Sequence, residues 1–165
     1  LPWCGAGNEA IMINTTLCYI TQGDQVLMLH RVKKKNDINQ GKWIGVGGKC
    51  QEGESPEDCL LREVREETGL TLTQYRYCGI ITFVFDGGEG EYMHLFQGEK
   101  FQGSMIACDE GDLQWLTRAQ LDAVPKWAGD QIFLDLMWKK VPFFSLKLVY
   151  AGDRLIQAVL NGKAI

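Results

Sequence analysis

The segment GKCQEGESPEDCLLREVREETGL, at positions 48–70, constrains the fold more than any other part of the sequence. Ser55 stands as an N-cap before Pro56, a residue that suits the first position of a helix, and Asp58 completes a capping box. A glycine follows the last residue of the pattern and is a typical helix stop. These signals predict a helix from Pro56 to Thr68.

The predicted helix carries three glutamates on one face. Glu63, Glu66 and Glu67 are spaced i, i+3 and i+4, and like charges at such spacings cost roughly 0.2–0.5 kcal/mol per pair. A solvated acidic face is one explanation of the pattern. The other is a hard divalent cation such as Mg²⁺, which prefers oxygen ligands. Gly47 and Gly48 precede the helix and allow close approach of the main chain, which favours a cation site.

The fixed positions of this segment resemble the Nudix box of the MutT-like nucleoside diphosphate-X hydrolases. Many fixed positions over one short segment make such a pattern far more specific than an isolated glycine motif. The resemblance implies the Nudix fold, an α/β/α sandwich with a mixed β-sheet. The matching residues are Gly48, Glu54, Arg62, Glu63, Val64, Glu66, Glu67, Gly69 and Leu70.

The resemblance also implies the chemistry of the segment. Arg62 would act in catalysis by orienting the glutamates, and Glu54 would brace the loop. Magnesium, or manganese in its place, polarises phosphate oxygens and acidifies bound water, whose proton a nearby carboxylate accepts. Which glutamate serves as this base is left open. The implied metal ligands, whose carboxylates are also the catalytic groups, are the carbonyl of Gly47 and the side chains of Glu63, Glu66 and Glu67.

Outside this segment, three features stand out: the loop GKWIGVGGK, Glu110 five residues before Trp115, and the stretch VPKWAGDQIF. On these features the chain, from about Ile13 to the C-terminal hairpin, is similar to the branch of oxidised-purine nucleoside triphosphatases. That similarity implies that Glu110 is a further catalytic and metal-binding glutamate. It also implies that Trp127 stacks on a purine and that Asp130 bonds the purine edge. Two residues depart from the branch: Ile44 replaces a polar pocket residue, and Gly129 replaces a second acidic one. Because buried polar groups make a site discriminate between bases, the exact substrate stays open.

Other residues are weaker candidates for the substrate pocket. Phe83 lies on a predicted strand and lines either the pocket or the core. Arg31 and the lysines at 33–35 attract a triphosphate or belong to a solvated loop. A further interpretation is that Thr15 or Thr16, on the first predicted strand, faces the pocket.

The remaining elements mix strands and helices without a regular βαβ repeat. The first two predicted strands form a hairpin, short helices are predicted near 118–124 and 129–139, and a closing hairpin turns at 151–153. This order favours an α/β sandwich on a mixed sheet over a doubly wound parallel fold. We expect one domain over 12–165, with 1–11 as an N-terminal extension or leader.

Composition narrows the partners. The formal net charge of −4 disfavours a nucleic-acid polymer as ligand, since such binders present a basic surface. No apolar run approaches the roughly 20 residues that span a bilayer, and the six cysteines include no CxxC pair. The sequence therefore predicts a cytoplasmic protein with reduced thiols that acts on small nucleotides, away from membranes, as a monomer.

Three functions remain in competition. The favoured one is Mg²⁺-dependent hydrolysis of nucleoside triphosphates, such as 8-oxo-dGTP, to a monophosphate and pyrophosphate. A Nudix pyrophosphatase for ADP-ribose or dinucleoside polyphosphates is the second, and the proline typical of the ADP-ribose group is missing, because none lies between Pro56 and Pro125. A non-catalytic binding module is the third, and retention of every box glutamate argues against it.

Overall fold

The computed structural model describes residues 12–165, so the extension predicted for 1–11 lies outside the described residues. No helix within the described range is both long and apolar enough to cross a membrane. The elements are β1 (Met12–Gln22), β2 (Gln25–His30), β3 (Trp43–Ile44), α1 (Pro56–Thr68), β4 (Thr71–Phe85), β5 (Gly90–Gln102), β6 (Asp112–Thr117), α2 (Arg118–Ala123), α3 (Asp130–Trp138), β7 (Phe144–Ala151), β8 (Arg154–Leu160) and β9 (Lys163–Ala164).

All nine strands of the described chain belong to one mixed sheet. Its order is β3-β2-β1-β5-β4-β7-β8-β9, and β6 pairs with β2 beside this path. The pairs β1–β5 and β4–β7 are parallel, whereas the other pairs are antiparallel. The predicted mixed sheet is therefore confirmed.

The sheet separates two hydrophobic cores. Because side chains alternate along a strand, Tyr19 of β1 packs into one core and its neighbour Ile20 into the other. Helix α1 closes the second core with Leu60 and Val64. Helix α3 closes the first core with Phe133, which is fully buried. Helices on both faces of one sheet confirm the predicted α/β/α sandwich.

Helix α1 begins and ends at the predicted residues. The hydroxyl of Ser55 accepts a hydrogen bond from the backbone N–H of Asp58 at 3.1 Å, and the Asp58 carboxylate accepts one from the N–H of Ser55 at 3.1 Å. Gly69 ends the helix in the left-handed region, at φ 78°. The other two helices lie within the predicted ranges. Both predicted hairpins, β1–β2 and β7–β8, are also present.

Candidate active site

The loop before α1 lies directly on β1, and this contact requires glycine. A Cβ atom at Gly47 would lie 1.9 Å from the carbonyl oxygen of Thr16, and one at Gly48 would lie 2.5 Å from Cδ of Glu63. The N–H of Thr16 donates to the Gly48 carbonyl at 2.9 Å. Because Gly47 and Gly48 have no side chain, the loop fits between β1 and the acidic face of α1.

Arg62 is the centre of a hydrogen-bond network around this loop. Its Nε and Nη2 atoms each donate to Glu54 at 2.8 Å, and Nη2 also donates to the Lys49 carbonyl at 3.0 Å. Its Nη1 donates to Glu63 at 2.7 Å and to Glu66 at 3.1 Å. The guanidinium lowers the pKa of Glu54 to about 2. These contacts tie the loop to α1, and the catalytic role of Arg62 stays a prediction.

Glu67 is the most buried of the three helix glutamates. Its Oε2 accepts a hydrogen bond from the N–H of Gly47 at 2.9 Å. Burial raises the pKa of Glu67 to about 8, and the carboxylates of Glu110 and Glu63 raise it further, against the Gly47 bond. Glu67 therefore holds a proton more readily than an ordinary carboxyl group, at the point where it meets Glu63 and Glu110.

The donor atoms at this point suit a hard cation, although their present arrangement is not a finished cage. Within residues 12–165, no three His, Cys, Asp or Glu side chains stand in a metal-binding arrangement. Arg62 holds the carboxylates of Glu63 and Glu66 in ion pairs, and the Glu66 side chain is 59% exposed. The donors are nonetheless all oxygens, and a bound cation would relieve the repulsion from Glu110 and Glu63 that, after burial, helps to raise the pKa of Glu67. The ligand set fits Mg²⁺ or Mn²⁺ and stays a prediction.

These carboxylates open into a cavity of about 540 Å³, a size typical of small-ligand sites. We call the part formed by Gly47, Glu63, Glu67 and Glu110 the carboxylate end, and the part formed by Ile44, Phe83, Trp127 and Asp130 the aromatic end. The structure thus brings together most of the predicted site residues, with Arg31, Thr15 and Thr16 also in the wall. Arg62 and Glu66 are not among the residues that line the cavity.

Trp127 is the centre of the aromatic end. Its ring meets Phe83 and Tyr150 edge to face, with ring centroids 5.2 Å and 4.9 Å away. Its indole N–H donates to Asn39 at 2.7 Å, and the ammonium of Lys42 lies 4.4 Å from the ring centroid. Because Lys42 covers one ring face, a purine would have to stack on Trp127 at the opposite face or after Lys42 moves. The predicted stacking remains untested.

Close packing determines the pKa of Asp130 and the space available at Gly129. Asp130 is 6% exposed, and burial raises its pKa to about 8 although Lys126 and Lys42 act to lower it. A Cβ atom at Gly129 would lie 2.6 Å from Leu148 and 2.7 Å from the Tyr150 hydroxyl. That contact leaves no room at 129 for the second acidic residue of the branch. Asp130 is therefore the acidic group of the aromatic end.

Arg31 lies in the cavity wall, but its charge is already paired. Its Nε donates to Asp37 at 2.6 Å, and its Nη1 donates to Glu110 at 2.7 Å. The predicted role in substrate binding stays a prediction, and two carboxylates compete with a phosphate for this guanidinium. Lys34, a member of the predicted basic loop, also lines the cavity.

Sequence reasoning missed Glu91 of β5. The Thr15 hydroxyl donates to Glu91 at 3.0 Å, both residues line the cavity, and burial raises the pKa of Glu91. Phe83 faces it across the β4–β5 pair. The alternation of Glu91 with Met93 and buried Leu95 was the available signal. It was weak, because a strand pattern does not tell which face borders a cavity.

Fold and site together define a hydrolase that carries its acidic residues on one helix behind a glycine loop. The chain belongs to the Nudix family, since the NUDIX domain matches residues 13–137. It is 33% identical to the oxidized purine nucleoside triphosphate hydrolase of Danio rerio, over 88% of this chain and 92% of the relative. The Mus musculus protein of the same name is also 33% identical, over 78% and 81%.

Solved structures support the same family. The mutator MutT protein of Bacillus halodurans superimposes with a TM-score of 0.80 at 26% identity, covering 92% of this chain and 99% of that one. The protein is thus a MutT-like Nudix hydrolase, as its acidic helix indicated.

Proposed function

We propose that the protein hydrolyses nucleoside triphosphates, with oxidised purine deoxynucleotides such as 8-oxo-dGTP as its preferred substrates, to a monophosphate and pyrophosphate. The observation that carries this proposal is that one cavity contains both the carboxylate end and the aromatic end. A nucleotide has the same two-part chemistry, an anionic chain and a flat base. Two relatives named for oxidised purine nucleoside triphosphates support the substrate class.

At the carboxylate end, Mg²⁺ or Mn²⁺ would supply polarised phosphate oxygens and an acidified water. We propose as its ligands the carbonyl of Gly47 and the side chains of Glu63, Glu66, Glu67 and Glu110.

Two side chains of the carboxylate end have further roles in this proposal. Arg62 positions Glu63 and Glu66, because its guanidinium bonds both carboxylates. Burial raises the pKa of Glu67, so its carboxylate, when ionised, accepts a proton from water more readily than an ordinary carboxylate, which is the property that a general base uses.

At the aromatic end, Trp127 and Phe83 would form the flat walls against a purine, with Ile44 beside them. Stacking contributes roughly 1–3 kcal/mol per base in nucleic-acid sites and discriminates little between bases. Selectivity would therefore come from Asp130. Because burial raises its pKa to about 8, the side chain is protonated at neutral pH and donates a hydrogen bond to an acceptor on the base.

We further propose that the described chain is one domain and acts as a monomer in the cytoplasm, on small nucleotides and not on nucleic-acid polymers. One continuous sheet over the described residues supports the single domain. The net charge of −4 supports a small substrate carried with a cation over a polyanion, for which a basic surface is needed.

The test is pyrophosphate release with Mg²⁺ from a panel of nucleotides, comparing kcat/KM. The panel contains 8-oxo-dGTP, 2-hydroxy-dATP, the four normal dNTPs, ADP-ribose and diadenosine polyphosphates. We expect the highest value for an oxidised purine triphosphate. A clear preference for ADP-ribose or a dinucleotide would contradict the assignment of the aromatic end and leave the hydrolase chemistry in place.

A further inference from the structure

A chain of hydrogen bonds, which includes one backbone N–H, joins the two ends of the cavity. At the aromatic end, the indole N–H of Trp127 donates to Oδ1 of Asn39 at 2.7 Å. The backbone N–H of Asn39 donates to Oδ1 of Asp37 at 3.1 Å. The other oxygen of Asp37 accepts from Nε of Arg31 at 2.6 Å, and Nη1 of Arg31 donates to Glu110 at 2.7 Å. Glu110 belongs to the carboxylate end.

The middle of this chain is shielded from water. The side chains of Arg31 and Asp37 are only 10% and 6% exposed. Charged hydrogen bonds with little access to solvent are stronger than surface ion pairs and hold their partners in fixed positions. A displacement of Asp37 therefore moves Arg31, and with it the anchor of Glu110.

The loop that carries these residues is closed on itself. The N–H of Arg31 donates to the carbonyl of Lys42 at 3.0 Å, and the N–H of Gly41 donates to the carbonyl of Arg31 at 2.8 Å. Inside the loop, the N–H of Gln40 bonds the Asp37 carbonyl at 3.0 Å. These bonds tie the two ends of segment 31–42 together. They restrain the backbone between Arg31 and Lys42, so a displacement of Asn39 is transmitted to Arg31.

We propose that Asn39 and Asp37 are positioning residues that couple occupancy of the aromatic end to the geometry of Glu110. The proposal rests on the proposed function, because it takes a base as the group that presses on Trp127. A base that fits the aromatic end leaves the Trp127–Asn39 and Arg31–Glu110 hydrogen bonds intact. A base that fits poorly displaces Trp127 and weakens these bonds, so the identity of the base changes kcat as well as KM.

Coupling between two sites is reciprocal, so it is measurable without turnover. The experiment measures the affinity of Mn²⁺ for the protein by electron paramagnetic resonance, with and without a saturating nucleoside. The probe is 8-oxo-2′-deoxyguanosine, which has no phosphate and therefore cannot contact the metal through one. We expect the nucleoside to raise Mn²⁺ affinity about five-fold or more in the wild-type protein.

Two variants each remove the hydrogen bond between Trp127 and Asn39. Asn39→Ala deletes the acceptor, and Trp127→Phe keeps a ring but lacks the N–H. We expect each variant to bind the nucleoside and to reduce the coupling factor to near one. The double variant should show no further loss, since both changes break the same bond. Gln40→Ala, an exposed change in the same loop, is the matched control and should retain full coupling.

Steady-state kinetics give a second readout. Asn39→Ala should narrow the difference in kcat between the best and the worst purine triphosphate, an effect that a purely structural role would not produce. Full coupling in both single variants would overturn the inference, as would a wild-type protein that binds the nucleoside with unchanged Mn²⁺ affinity. Failure of every nucleoside to bind would instead overturn the proposed base pocket, and the inference with it.

Discussion

The carboxylate end and the aromatic end of the cavity are built from the chain in different ways. Glu67 bonds Gly47, only 20 positions away, and Arg62 bonds Glu54 within one loop and helix. At the aromatic end, Trp127 bonds Asn39 across 88 positions. The acidic helix and its loop are thus built from a short segment with its own caps and glycines, whereas Glu110 and the aromatic end are placed by contacts between distant segments.

The largest expected effect is at the carboxylate end. Glu67→Gln should lower kcat about 10³-fold or more, because it removes the buried carboxylate best placed to accept a proton and to bind a cation. Thermal unfolding should show a folded protein. Glu52→Gln, an exposed change in the same loop, is the matched control and should keep the wild-type rate. A Glu67→Gln enzyme with nearly normal kcat would break the assignment of this end.

A smaller effect is expected at the aromatic end. Trp127→Ala should raise KM for purine triphosphates about ten-fold or more, the magnitude of a lost base-stacking contact. Turnover should still require Mg²⁺, because the change leaves every carboxylate of the carboxylate end in place. Kinetics on purine and pyrimidine triphosphates test this. Equal losses on both classes would argue against a purine pocket at Trp127.

The smallest expected effect is a change in how stability depends on pH. Burial raises the pKa of Asp130 from its ordinary value of 3.8 to about 8, so between these pH values the folded state holds a proton that the unfolded state releases. Stability from this group is complete below about pH 4 and is lost as pH rises toward 8. In Asp130→Asn, the free energy of unfolding should therefore decrease less between about pH 4 and pH 8 than it does in the wild type.

Urea unfolding at pH 5 and pH 8 measures this slope. Asp135→Asn, an exposed change on the same helix, is the control and should follow the wild-type curve. Parallel curves for Asp130→Asn and the wild type would show that Asp130 is ionised in the folded protein. The hydrogen bond proposed from Asp130 to a base would then have to run in the opposite direction.

The contrast between the two ends also explains what the sequence could predict. Helix α1 was predicted to the residue, because Ser55, Asp58 and Gly69 specify its ends locally. The parallel pairing of β1 with β5 was not predicted, since no local signal selects a neighbour so distant in the chain. The mixed sheet followed from the order of elements, but its strand order did not.

The same reasoning applies to the site. Glu91 and Asp37 were missed because their partners are remote or unmarked: Glu91 accepts from Thr15 across 76 positions. The pairing of Arg31 with Glu110, 79 positions apart, was likewise invisible, so Arg31 was interpreted only as a residue for phosphate. Residue types suggested the chemistry of each group, whereas the contacts that give it a role arise only in the folded chain.

The most direct test of the account is the ratio of kcat/KM for 8-oxo-dGTP to that for dGTP, measured with Mg²⁺ in the wild type, in Glu67→Gln and in Asp130→Ala. The account predicts that Glu67→Gln lowers both values by a similar factor and keeps the ratio. It predicts that Asp130→Ala reduces the ratio and retains measurable turnover, because Asp130 is the group proposed to select the base. A wild-type ratio near one, or a ratio that falls with Glu67→Gln and not with Asp130→Ala, would contradict the division of the cavity into a reacting end and a selecting end.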